Sequence, residues 1–197
     1  MSKSMIPAAA DVVSDVSARA FGRPLVSNHL RSMVVETIMA LSLPAGWTCC
    51  GEDWAGWDLS HDDGTRLEVK QSAARQTWPA PRRPAQPTFD IRERTGWWEG
   101  ATWFRGVGRH AHIYVFAYHP VTDDTADHRD PGQWRFFVVR TEDLPSGKSL
   151  SLARLKADAQ PLDLAGAVAA VEALREERAR RLRPPSSPLA EGAVRLS

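Results

Sequence analysis

Hydrophobic and polar positions alternate along residues 57–72, and this period of two predicts a pair of β-strands. The apolar positions of the stretch are Trp57, Leu59, Leu67 and Val69. Asp63 and Gly64 separate the two halves, and glycine supplies the positive φ that a tight hairpin connection needs. The pattern therefore predicts a hairpin in which Leu67 and Val69 point into a core while Glu68 and Lys70 share the opposite face.

A helical period precedes this hairpin. Ser27 is a suitable N-cap for a helix over residues 27–43, and Pro44 and Gly46 end it. The apolar stripe of this helix is predicted to consist of Leu30, Val34, Ile38 and Leu41. Residues 47–50 predict a short strand, so the domain begins with a helix that three strands follow.

The second half of the chain contains further strands and a long helix. Residues 113–118 are apolar almost throughout, which is typical of a central strand buried on both faces. Residues 134–139 predict another strand, and residues 161–183 predict a helix whose last turns mix Glu and Arg. Residues 72–112 contain four prolines and predict an irregular segment with one short strand at 89–91.

Together these elements predict an α/β fold in which helices flank a mixed central sheet. A single domain is expected over residues 24–183. Residues 1–23 predict an N-terminal arm or a loosely docked helix, and the Pro- and Ser-containing residues 184–197 predict a disordered tail.

Composition narrows the class of protein. The formal net charge of the 197 residues is +1, so any binding of nucleic acid must depend on a local basic patch. Cys49 and Cys50 are the only cysteines and are adjacent, which makes them poor partners for a disulfide or a zinc ion. No apolar run is long enough for a membrane span, and no signal peptide is evident, so a soluble cytoplasmic protein without membrane contact is expected.

Asp58, Glu68 and Lys70 are the candidate catalytic residues of the hairpin. Asp58 and Glu68 offer the hard carboxylate oxygens that Mg²⁺ prefers, and Mg²⁺ usually takes only one or two carboxylates besides water and a substrate phosphate. Lys70 would orient the attacking water and offset the negative charge that develops on phosphorus. Alternatively, these are solvated charges of a surface hairpin, because charged residues make up 25% of the chain and chance matches are common.

The segment after the hairpin is locally basic and aromatic. Arginines bind phosphates bidentately, and aromatic rings stack on unpaired bases, so the segment is suited to hold nucleic acid. Its candidate nucleic-acid-binding residues are Gln71, Arg75, Gln76, Trp78, Arg82 and Arg83. Alternatively, its tryptophans form a small core of their own, and the amide of Gln71 orients a neighbouring loop.

The order of helix and strands, and the spacing of Asp58, Glu68 and Lys70, resemble the PD-(D/E)XK nuclease superfamily, which has the restriction-endonuclease-like fold. The run from Leu67 to Trp78 is similar to that of a group of small bacterial proteins of this fold that have a Glu-Val-Lys-x-Ser-Ala motif. One departure is Trp57, which stands where the superfamily has proline.

The resemblance implies a Mg²⁺-dependent nuclease, with Mn²⁺ as a substitute metal. It implies metal ligation by Asp58, Glu68 and the carbonyl of Val69, and it places a glutamate of the first helix at the metal site. Glu36 matches that glutamate approximately, the alternative being a solvated carboxylate. DNA is expected as the substrate in preference to RNA, and a homodimer would allow both strands of a duplex to be cut.

A second function class stays open beside the nuclease. The same fold serves in non-catalytic modules that bind nucleic acid or protein, and in such a module the charges of the hairpin would only form a surface. A metal-assisted activity unrelated to nucleic acid is a third hypothesis.

Overall fold

A five-stranded mixed sheet forms the centre of the computed structural model, which describes residues 6–50, 55–78, 86–99 and 101–182. The nine strands, numbered in chain order, are β1 (Trp47–Cys49), β2 (Leu59–His61), β3 (Arg66–Ala73), β4 (Thr88–Asp90), β5 (Arg94–Glu99), β6 (Thr102–Gly108), β7 (Ile113–His119), β8 (Arg135–Arg140) and β9 (Ser149–Ser151). The four α-helices are α1 (Ala9–Phe21), α2 (Asn28–Ser42), α3 (Leu152–Asp158) and α4 (Leu164–Leu182).

The central sheet has the strand order β1-β2-β3-β7-β8. Strands β1, β2 and β3 are antiparallel neighbours, β3 and β7 are parallel, and β7 and β8 are antiparallel. Strand β7 is central and buried on both faces, as its apolar sequence predicts. The α/β class and the mixed central sheet are therefore confirmed.

The predicted hairpin consists of β2 and β3. Gly64 has a φ of +80°, a conformation that residues with a Cβ rarely adopt, and it closes the turn by donating from its amide to the His61 carbonyl at 2.8 Å. The carboxylate of Asp63 accepts the Thr65 amide at 2.9 Å. These two residues therefore form the turn, and they leave Asp58 and Glu68 as the acids near the sheet.

Apolar side chains pack on both faces of the central sheet. On one face α2 and α4 cover Leu67 and Val69 of β3, together with Val115 of β7. On the other face lie Tyr114, Phe116, Phe89, Leu150 and Leu155, which β7, β4, β9 and α3 contribute. Because neighbouring strand residues point to opposite faces, Glu68 and Lys70 lie on this second side. Trp57 packs with the second group and Leu59 with the first, because β2 begins only at Leu59 and the alternation does not reach back to Trp57.

Helix α2 has the predicted position, and its buried face agrees only in part with the predicted stripe. Its buried residues are Arg31, Val35, Ile38 and Met39, whereas Leu41 is 83% exposed. Of the predicted stripe, Ile38 is buried and Val34 packs against the core, whereas Arg31 occupies a buried position that an apolar pattern cannot include. Ser27 is at the N-cap, but its side chain makes no capping hydrogen bond.

The segment before β7 is more regular than its prolines suggest. Strands β5 and β6 form a second hairpin in which Trp97 is paired with Phe104 and Trp98 with Trp103. Strand β4 corresponds to the predicted strand at 89–91 and pairs with β9. The prediction of an irregular segment is therefore wrong for residues 94–108, although the proline-rich residues 79–85 lie outside the described part of the chain.

The N-terminal segment forms a helix on the outside of the fold. Residues 9–21 form α1, in which no residue is buried. The predicted division into an N-terminal arm and a domain stays a prediction. The predicted disordered tail lies outside the described residues. None of the described helices combines the length and the hydropathy that crossing a membrane requires.

Candidate functional site

Asp58 lies immediately before β2 and faces β3. Its amide donates to the Leu67 carbonyl at 2.9 Å, and its carboxylate Oδ2 accepts the Val69 amide at 2.6 Å. The N–H and C=O of one strand residue point to the same side of the strand, so the Val69 carbonyl is directed towards the side on which Asp58 lies. Hydrogen bonds of the sheet thus hold two of the predicted metal ligands, Asp58 and Val69, beside each other.

Glu68 and Lys70 are joined on the same face of β3. Glu68 is 2% exposed, and its Oε1 accepts from Lys70 Nζ in a short ion pair. Arg94, from the second hairpin, donates to the same Oε1 at 3.2 Å and to the Ala55 carbonyl at 3.0 Å. Both cations contact Oε1, so the charge of Glu68 is compensated at only one of its two carboxylate oxygens.

The second carboxylate oxygen of Glu68, Oε2, is buried and has no hydrogen-bond partner among the described residues. A buried charged oxygen without a partner is costly, and such atoms in native proteins usually accept from an ion or water. Two neighbours are in a similar state: Trp97 and His110, whose rings lie 3.9 Å apart, each have a buried nitrogen without a partner. Glu68, Trp97 and His110 thus account for three of the six buried side-chain atoms that have no partner among the described residues.

Two carboxyl groups of the site, those of Asp58 and Glu36, have a raised pKa. Burial raises the pKa of Asp58 to about 7, and the nearby Glu68 and Glu36 add to the rise while Lys70 and the Val69 amide oppose it. Burial also raises the pKa of Glu36, with Lys70 opposing and Glu68 adding. Glu36 of α2 is thus close enough to interact electrostatically with the hairpin residues, although the sequence left open whether it is merely solvated.

The residues present fit a divalent cation in charge and in chemistry, but not as a complete cage. Across residues 6–50, 55–78, 86–99 and 101–182, no three His, Cys, Asp or Glu side chains are arranged to hold a metal ion. A divalent cation held by both residues would give the Oε2 of Glu68 a partner and would favour the ionised form of Asp58, whose pKa is raised. Mg²⁺ requires no more than these two, because water and substrate phosphate complete its shell.

Sequence analysis did not assign Arg94 and Tyr114 to this site. Nothing in the local pattern around Arg94 shows that its hairpin folds back over Glu68. Tyr114 is the register partner of Glu68 on the parallel strand β7, and burial, followed by the charge of Glu68, raises the pKa of its hydroxyl. Only the pairing of β3 with β7 identifies it, and that pairing is not a local property.

The predicted nucleic-acid-binding residues lie at the end of β3 and beyond it. Gln71 and Gln76 accept hydrogen bonds from the buried Arg31, at 2.7 and 3.0 Å. Arg75 forms an ion pair with Asp124 at 2.6 Å, and Trp78 is 52% exposed. Arg82 and Arg83 lie outside the described residues. A role for any of these residues in nucleic-acid binding stays a prediction.

Exposed aromatic side chains also occur on the second hairpin, where the sequence suggested either a stacking surface or a small core. Trp98, Trp103 and Phe104 are each 41–44% exposed. Trp97 instead is half-buried and packs on the core beneath it, stacked on Phe104 with ring centroids 5.4 Å apart. The exposure of Trp98 and Trp103 thus fits a stacking surface, whereas the packing of Trp97 fits a small core.

Comparison of the chain with family models, with curated proteins and with solved structures found no match.

Proposed function

We propose that this protein is a Mg²⁺-dependent phosphodiesterase of the restriction-endonuclease-like fold that cleaves nucleic acid, with DNA as the favoured substrate. The observation that carries the proposal is the unpaired Oε2 of Glu68, buried beside Lys70 and near Asp58. The element order supports the fold, since a helix and three antiparallel strands precede the parallel strand β7.

Each residue of the site has a definite task in this proposal. Asp58, Glu68 and the Val69 carbonyl hold the metal, and Glu36 contributes negative charge from α2. Lys70 orients the attacking water and stabilises charge on the phosphoryl oxygens. Arg94 holds Glu68 in place and ties the second hairpin to the site. Bound Mg²⁺ would supply Lewis-acid polarisation of the phosphodiester and a lowered pKa of the attacking water.

The raised pKa of Asp58 predicts how the site depends on pH. A carboxyl with a pKa of about 7 is largely protonated below neutrality, and only its ionised form binds metal. Metal affinity should therefore fall as the pH is lowered through 7, and binding at pH 7 should release protons. Titration calorimetry with Mg²⁺ in buffers of different ionisation enthalpy measures both quantities.

The alternative function is a non-catalytic module on the same fold that binds nucleic acid or protein. One observation favours it: Lys70 and Arg94 already compensate the charge of Glu68 internally, so this carboxylate does not need a metal for charge balance. In that case Mg²⁺ would not bind, and nucleic acid would be bound without being cut.

Cleavage assays with Mg²⁺ or Mn²⁺ on plasmid, linear duplex, single-stranded DNA and RNA test the proposal. We expect Asp58→Ala and Lys70→Ala to lower the cleavage rate by about 100-fold or more, since each removes a group that acts on the reacting phosphate. Matched controls are Asp62→Ala, in the exposed turn of the same hairpin, and Lys148→Ala, another exposed lysine.

The outcomes separate the two functions. If the wild type cuts and either site variant keeps its rate, the assignment of residues is wrong. If the wild type neither cuts nor binds Mg²⁺ in calorimetry, the binding-module function replaces the nuclease.

A further inference from the structure

A cavity of about 380 Å³ opens between the C-terminal half of α4 and the start of β7. It lies on the helix-covered side of the sheet, since Ile113 and Leu174 line it, whereas Glu68 and Lys70 are on the other face. Its charged walls come from Arg109, Arg140, Arg178, Arg181, Glu142 and Glu177. Cationic side chains thus outnumber acidic ones here, although the whole chain is nearly neutral.

Both glutamates of the cavity are already paired. Arg181 donates to Glu142 at 3.0 Å and to Glu177 at 2.7 Å, and Arg140 forms a short ion pair with Glu177. Arg109 donates to the carbonyls of Ile91, Pro145 and Gly147. Arg178 differs from these, because no carboxylate of the described residues lies within ion-pair distance of it.

The contact that Arg178 does make is between two donors. Its Nη2 lies 3.3 Å from Nε2 of His112. The Nδ1 of His112 accepts the Arg66 amide at 3.0 Å, so in the neutral ring the proton must be on Nε2. A flipped ring would turn a carbon towards the Arg66 amide, so the hydrogen bond fixes the orientation. Burial, followed by the charges of Arg178 and Arg66, lowers the pKa of His112 to about 4, which keeps this ring neutral.

His128 provides an internal reference for this geometry. Its Nδ1 likewise accepts a backbone amide, that of Val26, at 3.0 Å. Its Nε2 then donates to a carbonyl oxygen, that of Arg75, at 3.1 Å. The Nε2–H of His112 meets a guanidinium where His128 meets an acceptor, so the described residues provide no acceptor at this point of the cavity.

We infer that this cavity binds a phosphate group, held by Arg178 and by the Nε2–H of His112. A phosphate oxygen between the two donors would satisfy both, and guanidinium groups bind phosphate bidentately. The cavity falls in the size range of small-ligand sites and has an apolar wall formed by Ala111, Ile113 and Leu174, so a small organic phosphate fits it. This site does not depend on the proposed nuclease activity.

Titration of the full-length ¹⁵N-labelled protein with inorganic phosphate, followed by the ring signals of His112, tests the site. We expect saturable shifts of the Nε2–H signal. Arg178→Gln should weaken binding by about tenfold or more, since it removes a charge-assisted contact. His112→Asn keeps an acceptor for the Arg66 amide but has no donor at the position of the Nε2–H, which its shorter side chain does not reach, so it should weaken binding as well. The matched control Arg180→Gln changes an exposed arginine of the same helix that does not line the cavity.

Further controls verify that the variants are folded and distinguish a phosphodiester from a phosphate monoester as the ligand. Arg178→Lys keeps the charge and should recover part of the affinity, and urea unfolding verifies that every variant is folded. Displacement of phosphate by a dinucleotide without a terminal phosphate would assign the cavity to the phosphodiester backbone, whereas displacement only by its 5′-phosphorylated form would assign it to phosphate monoesters. Absence of saturable binding up to about 10 mM phosphate, or equal binding by Arg178→Gln, would overturn the inference.

Discussion

Strand β3 contributes to two buried polar groups, which differ in how completely they are satisfied. On the face opposite the α2–α4 helices, Glu68 carries a carboxylate oxygen that has no partner in the described part of the chain. The neighbouring Asp58 has its pKa raised to about 7 by burial and by the charge of Glu68. Charge and hydrogen bonding are both left incomplete on this face.

On the helix-covered face, Gln71 belongs to a group centred on Arg31. Arg31 is 1% exposed, and its guanidinium donates to the side-chain oxygens of Gln71, Gln76 and Asn28 at 2.7, 3.0 and 2.7 Å. Burial lowers its pKa to about 10, so it remains charged at neutral pH. Each of the three guanidinium nitrogens of Arg31 therefore has a side-chain acceptor.

The difference separates a group that stabilises the fold from one that is suited to bind a ligand. The Arg31 group joins α2 to the end of β3, and each nitrogen of its guanidinium has a hydrogen-bond acceptor. The Asp58–Glu68 group would be completed by a cation, which would reduce the mutual repulsion and provide a partner for the unpaired oxygen. Substitutions on the two faces should therefore change stability in opposite directions.

The largest effect is expected at Arg31. Arg31→Ala removes three charge-assisted hydrogen bonds and leaves a cavity, so the free energy of unfolding should fall by about 3 kcal/mol. Urea unfolding at pH 7 measures it. The matched control is Arg19→Ala, since the Arg19–Asp15 pair is exposed on α1 and contributes less than about 0.5 kcal/mol.

Arg31→Ala also tests how separate the two faces are. The stabilisation by Mg²⁺ expected of the wild type should persist in the folded variant, because Arg31 contacts none of the proposed ligands. A loss of less than about 1 kcal/mol would show that Arg31 does not hold α2 on the sheet.

The residues around Glu68 were easier to predict from the sequence than the residues around Arg31. The local turn at Asp63-Gly64 and the alternation of β3 suffice to place Glu68 and Lys70 on one face, and the strand at 113–118 is recognisable from its apolar run. The proximity of Asp58, Glu68 and Lys70 can therefore be predicted from one short segment of the sequence. Arg31 was missed because its partners Gln71 and Gln76 are 40 and 45 residues away.

The second hairpin was missed for a similar reason. Strands β5 and β6 contain glycines and arginines that are typical of loops, and Trp97 pairs with Phe104 only when the strands are in register. Arg94 then contacts Glu68 across 26 residues of sequence. Tertiary contacts of this kind have no periodic signature in a single sequence.

Substitution of Asp58 is expected to raise the free energy of unfolding, whereas Arg31→Ala lowers it. Its pKa in the folded protein, about 7, lies above that of an unfolded aspartate, so the folded state binds the proton more tightly. Ionisation of Asp58 between about pH 4 and 7 therefore costs stability. Asp58→Asn keeps an acceptor for the Val69 amide without the charge, and without metal at pH 8 it should raise the free energy of unfolding by about 2 kcal/mol.

The pH dependence distinguishes this mechanism from a general gain in packing. The advantage of Asp58→Asn over the wild type should shrink as the pH falls from 7 towards 4, because the wild-type carboxyl becomes protonated as well. Urea unfolding at several pH values with a chelator present measures the trend. A variant that is less stable than the wild type at pH 8 would contradict the assigned charge repulsion.

The smallest effect is expected at Gln71, where the two interpretations of the helix-covered face differ. If Gln71 acts mainly as an acceptor for Arg31, Gln71→Ala should lower the free energy of unfolding by about 1 kcal/mol, since one hydrogen bond to a charged donor is lost. Trp78→Ala is the comparison, because this half-exposed ring should change stability by less than about 0.5 kcal/mol yet weaken the binding of single-stranded DNA through lost stacking. Fluorescence anisotropy with a labelled oligonucleotide measures that binding. A Gln71→Ala variant of unchanged stability but weaker DNA binding would move Gln71 from the group that supports the fold to the group that contacts the substrate.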